Sequence, residues 1–172
     1  MGKVWKYSDG VNTDVIFPGK YTYTLKEPAE IAAHALEDLD PNFATAAQPG
    51  DVIVAGRNWG NGSSREQAVT ALKYKGIAAV VAKSFARIYF RNGINQGLLL
   101  ITCPEAVDAA QTGDSLEIDL PHSLLRLNGN EYPFPPLSPT AVSIIEVGGL
   151  IPHIRKKLGL SSTEAVPVSA GE

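Results

Sequence analysis

Val52-Ile53-Val54-Ala55, Ile77-Ala78-Ala79-Val80-Val81-Ala82 and Leu98-Leu99-Leu100-Ile101-Thr102 are short apolar runs, each consistent with a buried strand. The stretches between them carry helical patterning, from about Ser63 to Lys75 and from Ser84 to Gln96. They stop at Gly76 and Gly97, where glycine suits the left-handed position that ends a helix. Strand–helix–strand–helix–strand with short turns predicts right-handed crossovers and a parallel sheet.

Upstream, Lys3-Val4-Trp5-Lys6-Tyr7 alternates like a first strand, and Pro28 to Leu39 reads as a helix with Ile31, Ala35 and Leu39 on one stripe. Between them, Ser8 to Glu27 reads as a long loop, kept ordered by Val15, Ile16, Phe17, Tyr21 and Tyr23. Downstream the pattern turns antiparallel. Ser115 to Leu120 and Leu124 to Leu127 are strands, and Asn128-Gly129 makes a hairpin turn before Glu131-Tyr132. Ser138-Pro139 opens a helix to about Val147, Gly148-Gly149 breaks it, and Ile151 to Leu158 makes a last helix. The expectation is one α/β domain over 1–160 with mixed parallel and antiparallel strands, followed by a loose tail over 161–172.

Composition removes several function classes. The 172 residues carry a net charge of −3 and no basic stripe, which argues against nucleic acid as the main partner. No apolar run is long enough to span a bilayer, and the first residues lack a signal-peptide core, so no membrane role and a cytoplasmic address are expected. Cys103 is the single cysteine, and His34, His122 and His153 are scattered. A zinc or iron–sulfur site built by this chain alone is therefore not expected; its own metal and cofactor complement is read as none.

Three stretches hold the chemistry. Gly60-Asn61-Gly62-Ser63-Ser64-Arg65-Glu66-Gln67-Ala68 sits at a strand-to-helix turn, where open α/β sheets bind ligands. Glycines permit close backbone approach, a helix start offers unpaired N–H groups, and two hydroxyls and a guanidinium suit a carboxylate. Ser63-x-x-Glu66 also reads as a plain capping box, with Ser63 as N-cap. Lys83-Ser84-Phe85-Ala86-Arg87-Ile88-Tyr89-Phe90-Arg91-Asn92 opens the next helix: Ser84 reads as its N-cap, and Phe85 and Ile88 as core. Arg87 and Arg91, at i,i+4, read as solvated or paired with carboxylates, Glu66 among them. Asn12-Thr13-Asp14, leading into Val15-Ile16-Phe17-Pro18-Gly19-Lys20-Tyr21, reads either as an Asx-type turn or as part of a site.

In order and spacing these stretches resemble the small subunits of 3-isopropylmalate dehydratase and, more broadly, the swivelling domain of the aconitase superfamily. The resemblance runs from about Lys3 to Cys103 and more loosely to Gly159. It implies a three-layer β/β/α swivelling domain and a larger partner chain that carries a [4Fe–4S] cluster, in a heterodimer or heterotetramer. The implied reaction is dehydration and rehydration of a small hydroxy-di- or tricarboxylate. Ser63 would be the catalytic base, Ser64 and Arg65 would bind a substrate carboxylate, and Thr13 and Asp14 would orient Arg65 or a partner group from the site edge. Arg87 would give indirect support.

Two positions depart from the family pattern: Gln67 stands where histidine is common, and Asn61 where cysteine or glutamate is usual. The stretch that helps set substrate choice reads Tyr21-Thr22-Tyr23-Thr24, with no arginine for a third carboxylate, while Tyr21 and Tyr23 suit an isopropyl group. Leucine biosynthesis is thus preferred, with homoaconitate, through Lys20 and Lys26, and methylated malates as alternatives. A stand-alone carboxylate-binding module is the rival of another class. A self-contained hydrolase using Ser63 has no evident histidine partner.

Overall fold

The computed structural model describes residues 1–160; the tail expected over 161–172 lies outside the described residues. Strand β1 (Gly2–Lys6) pairs parallel with β2 (Val52–Ala55) on one side and antiparallel with β5 (Ser115–Asp119) on the other. The parallel half continues through β3 (Ala79–Ala82) to β4 (Leu99–Thr102). The antiparallel half continues through β6 (Leu124–Leu127) to β7 (Asn130–Pro133), giving the order β4-β3-β2-β1-β5-β6-β7.

The two faces of the parallel strands feed two cores. Trp5, Ile53, Ala55, Val80, Ala82 and Leu100 point one way, into a core covered by helices α2 (Pro28–Ala33), α3 (Pro41–Ala46), α4 (Gln67–Tyr74) and α5 (Arg87–Gln96). Val4, Val52, Val54, Ala79, Val81 and Ile101 point the other way, onto Leu116, Leu125 and Leu127 of the antiparallel strands and onto α6 (Pro104–Ala109). The antiparallel strands therefore curl beneath the parallel ones, and the layers run β/β/α as expected. Side chains such as Ile53 and Leu72 are fully buried, each worth roughly 1.5–3 kcal/mol over an exposed position. Helices α7 (Pro139–Glu146), capped by the Ser138 hydroxyl, and α8 (Leu150–Leu158) pack on α5 and on each other.

Several expected boundaries move, for identifiable reasons. Residues 8–27 are not loop throughout: α1 (Thr13–Ile16), capped by the Asn12 side chain, and a 3-10 turn (Gly19–Tyr21) lie within them. The helix expected to reach Leu39 stops after Ala33, because Leu36 adopts φ +55° and donates its N–H to the Ile16 carbonyl. Leu39 is accordingly 38% exposed rather than on a buried stripe. Helices α4 and α5 begin at Gln67 and Arg87, not at Ser63 and Ser84. Helix α6 was not expected, since Cys103-Pro104 offers no side-chain cap to signal it.

Candidate active site

Beyond the ends of β1, β2 and β3 the chain keeps pairing with itself. Gly56 N–H donates to Ser8 O, Gly10 N–H to Arg57 O, Gly60 N–H to Val11 O and Thr13 N–H to Asn61 O. On the other side Trp59 N–H donates to Ser84 O and Ala86 N–H to Trp59 O. The three motif stretches, far apart in sequence, are thus laid side by side by an extension of the sheet. Gly60, at φ +76°, is required there, because a Cβ would stand 2.1 Å from the Tyr89 ring. Tyr89 is buried, its hydroxyl donates to Ala68 O at 3.0 Å, and burial pushes its phenol well above the ordinary range.

Residues 63–66 form no capping box. The N-cap of α4 is Glu66, with no side-chain cap bond, so Ser63 leads a turn in front of the helix. That turn is tied alternately to two sides. Thr13, only 2% exposed, donates its hydroxyl to the Ser63 carbonyl at 2.8 Å, and Asp14 accepts from Arg65 Nη2 at 2.6 Å. From α5, Asn92 donates to Ser64 Oγ at 3.4 Å and Gln96 donates to Glu66 Oε1. Glu66 is therefore engaged by Gln96 and not by Arg87 or Arg91. Arg65 lies across Gly19, where a Cβ would come within 2.6 Å of Nη1, and this Nη1 is buried without a hydrogen-bond partner. The Ser63 side chain is exposed, with no hydrogen-bond partner among the described residues.

These groups face a cavity of about 620 Å³ lined by Thr13, Gly62, Ser63, Ser64 and Arg65 on one wall. The opposite wall is the first turns of α5, with Arg87, Ile88, Arg91 and Asn92. Ser63, Ser64, Arg65 and Thr13 are thus brought to one wall, with Asp14 behind Arg65. The α5 wall was missed as a cavity-facing surface. Its signal was present in the i,i+4 arginines, but a polar helix face reads equally as solvated. Ile88, read as core, is 57% exposed. Ser84 is not an N-cap; its hydroxyl accepts from Asn58 N–H at 2.8 Å and joins the two turns.

Tyr21, Thr22, Tyr23 and Thr24 stand outside this cavity. Thr22 and Tyr23 line a neighbouring depression of about 630 Å³ with Glu66 and Gln67, whose side chain donates to Thr22 O at 3.3 Å. Tyr23 is 91% exposed. Tyr21 stacks on His34, with ring centroids 4.0 Å apart, and His34 meets Glu37 at 2.5 Å. Burial of Glu37 works to raise its carboxyl, but hydrogen bonds from His34 and Tyr21 outweigh it and hold the group below its usual range. Lys20 reaches the same carboxylate at 3.4 Å. Among the described residues no group of His, Cys, Asp and Glu is placed to hold a metal ion, and no helix is long and apolar enough to cross a membrane.

The aconitase C-terminal domain family matches residues 12–106. A 3-isopropylmalate dehydratase small subunit from a Hydrogenobaculum species is 46% identical over 160 residues, 91% of this chain and 96% of that protein. 3-Isopropylmalate dehydratase small subunit 1 of Archaeoglobus fulgidus is 48% identical over 153 residues, covering 88% and 94%. The crystal structure of 3-isopropylmalate dehydratase from Methanocaldococcus jannaschii superposes with a TM-score of 0.86 at 42% identity, over 91% of this chain and 93% of that one.

Proposed function

Because the chain belongs to the aconitase C-terminal domain family and, within it, to the 3-isopropylmalate dehydratase small subunits, we propose that its cavity serves the interconversion of 2- and 3-isopropylmalate in leucine biosynthesis. The observation that carries this reading is the pinned turn. Every residue from Ser63 to Glu66 is held through its backbone or side chain, while the Ser63 hydroxyl is left free at the cavity.

Ser63 Oγ, as alkoxide, takes the carbon-bound proton during dehydration and returns it during rehydration. A serine is a weak base at its ordinary pKa, so nearby dipoles and cations must stabilise the alkoxide. Arg65 and the Ser64 hydroxyl hold a substrate carboxylate. Arg65 lines the cavity with its side chain 24% exposed, so part of the guanidinium is open to a carboxylate there. Asp14 fixes the fork from behind, and Thr13 fixes the Ser63 backbone. Tyr21–Thr24 act on substrate choice from the adjoining surface, through the Gln67–Thr22 link.

The chain works with a large subunit, as its relatives' designation as small subunits implies. The Lewis acid that polarises the leaving hydroxyl would be a [4Fe–4S] cluster on that partner. The assembly is cytoplasmic, a heterodimer or heterotetramer. The test is to mix this chain with the cluster-loaded large subunit of the same cell and assay 3-isopropylmalate and homoaconitate in parallel. Turnover of 3-isopropylmalate that needs both chains and vanishes in Ser63→Ala supports the reading. Carboxylate binding by the isolated chain, with no turnover in the mixture, overturns it.

A further inference from the structure

Beside the 21–24 stretch lies a knot of charged and aromatic side chains that the cavity does not use. Glu37 is at its centre: His34 Nδ1 meets its carboxylate at 2.5 Å, Lys20 Nζ lies 3.4 Å away, and the Tyr21 hydroxyl donates to it. Tyr21 is gripped through its ring as well. The ring centroid stands 4.0 Å from that of His34, 4.8 Å from Lys20 Nζ and 6.2 Å from that of Phe17. None of Lys20, Tyr21, His34 and Glu37 lines the cavity around Ser63. His34 and Glu37 stand on a fixed platform, because Leu36 between them is fully buried and donates its N–H to the Ile16 carbonyl. The backbone of the stretch hangs from the same knot. Tyr21 O accepts from Thr24 N–H at 3.2 Å and from Leu25 N–H at 3.1 Å, so where Tyr21 goes, residues 22–25 follow. The other side of the stretch is tied to α4 by Gln67, which donates to Thr22 O, and Tyr23 beyond that tie is 91% exposed.

We infer that Glu37 is a positioning residue for substrate selection: by gathering Lys20, Tyr21 and His34 on one carboxylate it fixes the base of the 21–24 stretch, and with it the placement of Thr22 and Tyr23. The inference rests on the dehydratase reading above and names the residue that governs its specificity. Tyr21 is spent on this anchorage, its ring and hydroxyl both engaged, so contact with a branched substrate group falls to Thr22 and Tyr23 on the depression beside α4. Stability alone does not account for the knot. The Lys20 side chain is 60% exposed, and ion pairs so open to water add little to folding. What several charge-assisted hydrogen bonds to one carboxylate supply is direction. A site keeps its geometry only when the residues behind it are themselves locked, and a misplacement of about 1 Å can cost a large factor in rate.

The test compares wild type, Glu37→Ala, Glu37→Gln and Tyr21→Phe, each assembled with the cluster-loaded large subunit. Two constants are read: the KM for 3-isopropylmalate, and the inhibition constant of unsubstituted malate, which offers its carboxylates to Arg65 but has no isopropyl group. Glu37→Ala should raise the KM roughly 5- to 50-fold with kcat little changed, while malate inhibition shifts less than about 2-fold. Glu37→Gln keeps an acceptor for the Tyr21 hydroxyl and should recover part of the loss. Tyr21→Phe keeps the ring on Phe17 and His34, so it carries the same test with the least disturbance to the fold and should also raise the KM. Combined with Glu37→Gln it should add nothing beyond the larger single effect, since both break one contact. An unchanged KM in Glu37→Ala and Tyr21→Phe overturns the inference. So does an equal rise in the KM and the malate constant, which would mean that the variants loosen the carboxylate grip or the fold as a whole. Failure of the dehydratase reading shows earlier and elsewhere: the wild type itself would turn over no 3-isopropylmalate, and the inference would fall with it.

Discussion

Arg65 Nη2 and Asp14 Oδ1 meet at 2.6 Å across 51 positions of sequence, joining the turn before α4 to the first turn of α1. Asp14 is 57% exposed, so the pair contributes little to folding; exposed ion pairs are worth about 0–1 kcal/mol. Its consequence is directional: it fixes the orientation of the guanidinium in the cavity wall. Asp14→Asn should therefore leave the melting temperature nearly unchanged while raising the KM for substrate several-fold, about 1 kcal/mol of lost orientation. Calorimetry and steady-state kinetics on the same preparation check both halves.

Removing the Ser63 hydroxyl should separate chemistry from structure more sharply. The side chain is exposed and accepts no bond, so Ser63→Ala should alter stability by less than about 0.5 kcal/mol. Turnover should fall by roughly 10²–10⁴, the usual worth of a positioned proton-transfer group. Single-turnover measurements with the assembled enzyme would show the loss in kcat rather than KM. A variant with both parameters intact would place the base elsewhere.

Thr13 tests the backbone tie. Thr13→Val keeps the shape but leaves the Ser63 carbonyl without its donor, costing roughly 1–2 kcal/mol at this buried position. Thr13→Ser retains the hydroxyl and should recover most of the activity. Chemical denaturation together with kcat/KM distinguishes the two; equal activity in both would mean that the tie does not position Ser63.

Gly60 and Gly129 share a positive φ, of +76° and +83°, but differ in surroundings. At Gly129 a Cβ meets nothing within 4 Å, so Gly129→Ala should cost only the backbone term, about 1 kcal/mol. At Gly60 the same methyl would lie inside the Tyr89 ring contact, and Gly60→Ala should cost roughly 3 kcal/mol or more. Urea midpoints of the two variants give the comparison directly.

Cys103 is a natural reporter on the second core. It is 1% exposed, its Sγ lies 3.6 Å from Pro133 O, and burial pushes its thiol above the usual range. The folded protein should react with alkylating reagents only through opening, and much more slowly than a free thiol. Since the folded thiol is the weaker acid, stability from this group is complete below the unfolded pKa of about 8.5 and is lost as pH rises through and beyond it. Labelling rates across denaturant and pH measure both effects.

The fold was legible where hydrophobic pattern decides it. Val52–Ala55, Val80–Val81 and Leu99–Ile101 read as buried strands and are buried strands, and Asn128-Gly129 announces its hairpin. Misreadings gathered at polar residues, because a serine or glutamate satisfies a local cap and a distant partner equally well on paper. Ser63 and Glu66 looked like a box closed on itself; in the folded chain Thr13 holds one and Gln96 the other, both supplied by remote segments. The same holds for Ser84, which serves Asn58 rather than its own helix. The short turns within 8–27 could not be seen, since a single helical turn has no period to detect.

Strand β1 precedes both of its partners in the chain and sits in the middle of the sheet, so synthesis imposes a wait. Val4 cannot meet Val52 until that residue has left the ribosome, and Gly2 cannot meet Leu116 until most of the chain has. Non-local pairing of this kind closes slowly. During that interval both edges of β1, with Val4 and Trp5 unburied, are uncovered on the nascent chain, which opens the strand to chaperone capture and to mispairing with other copies.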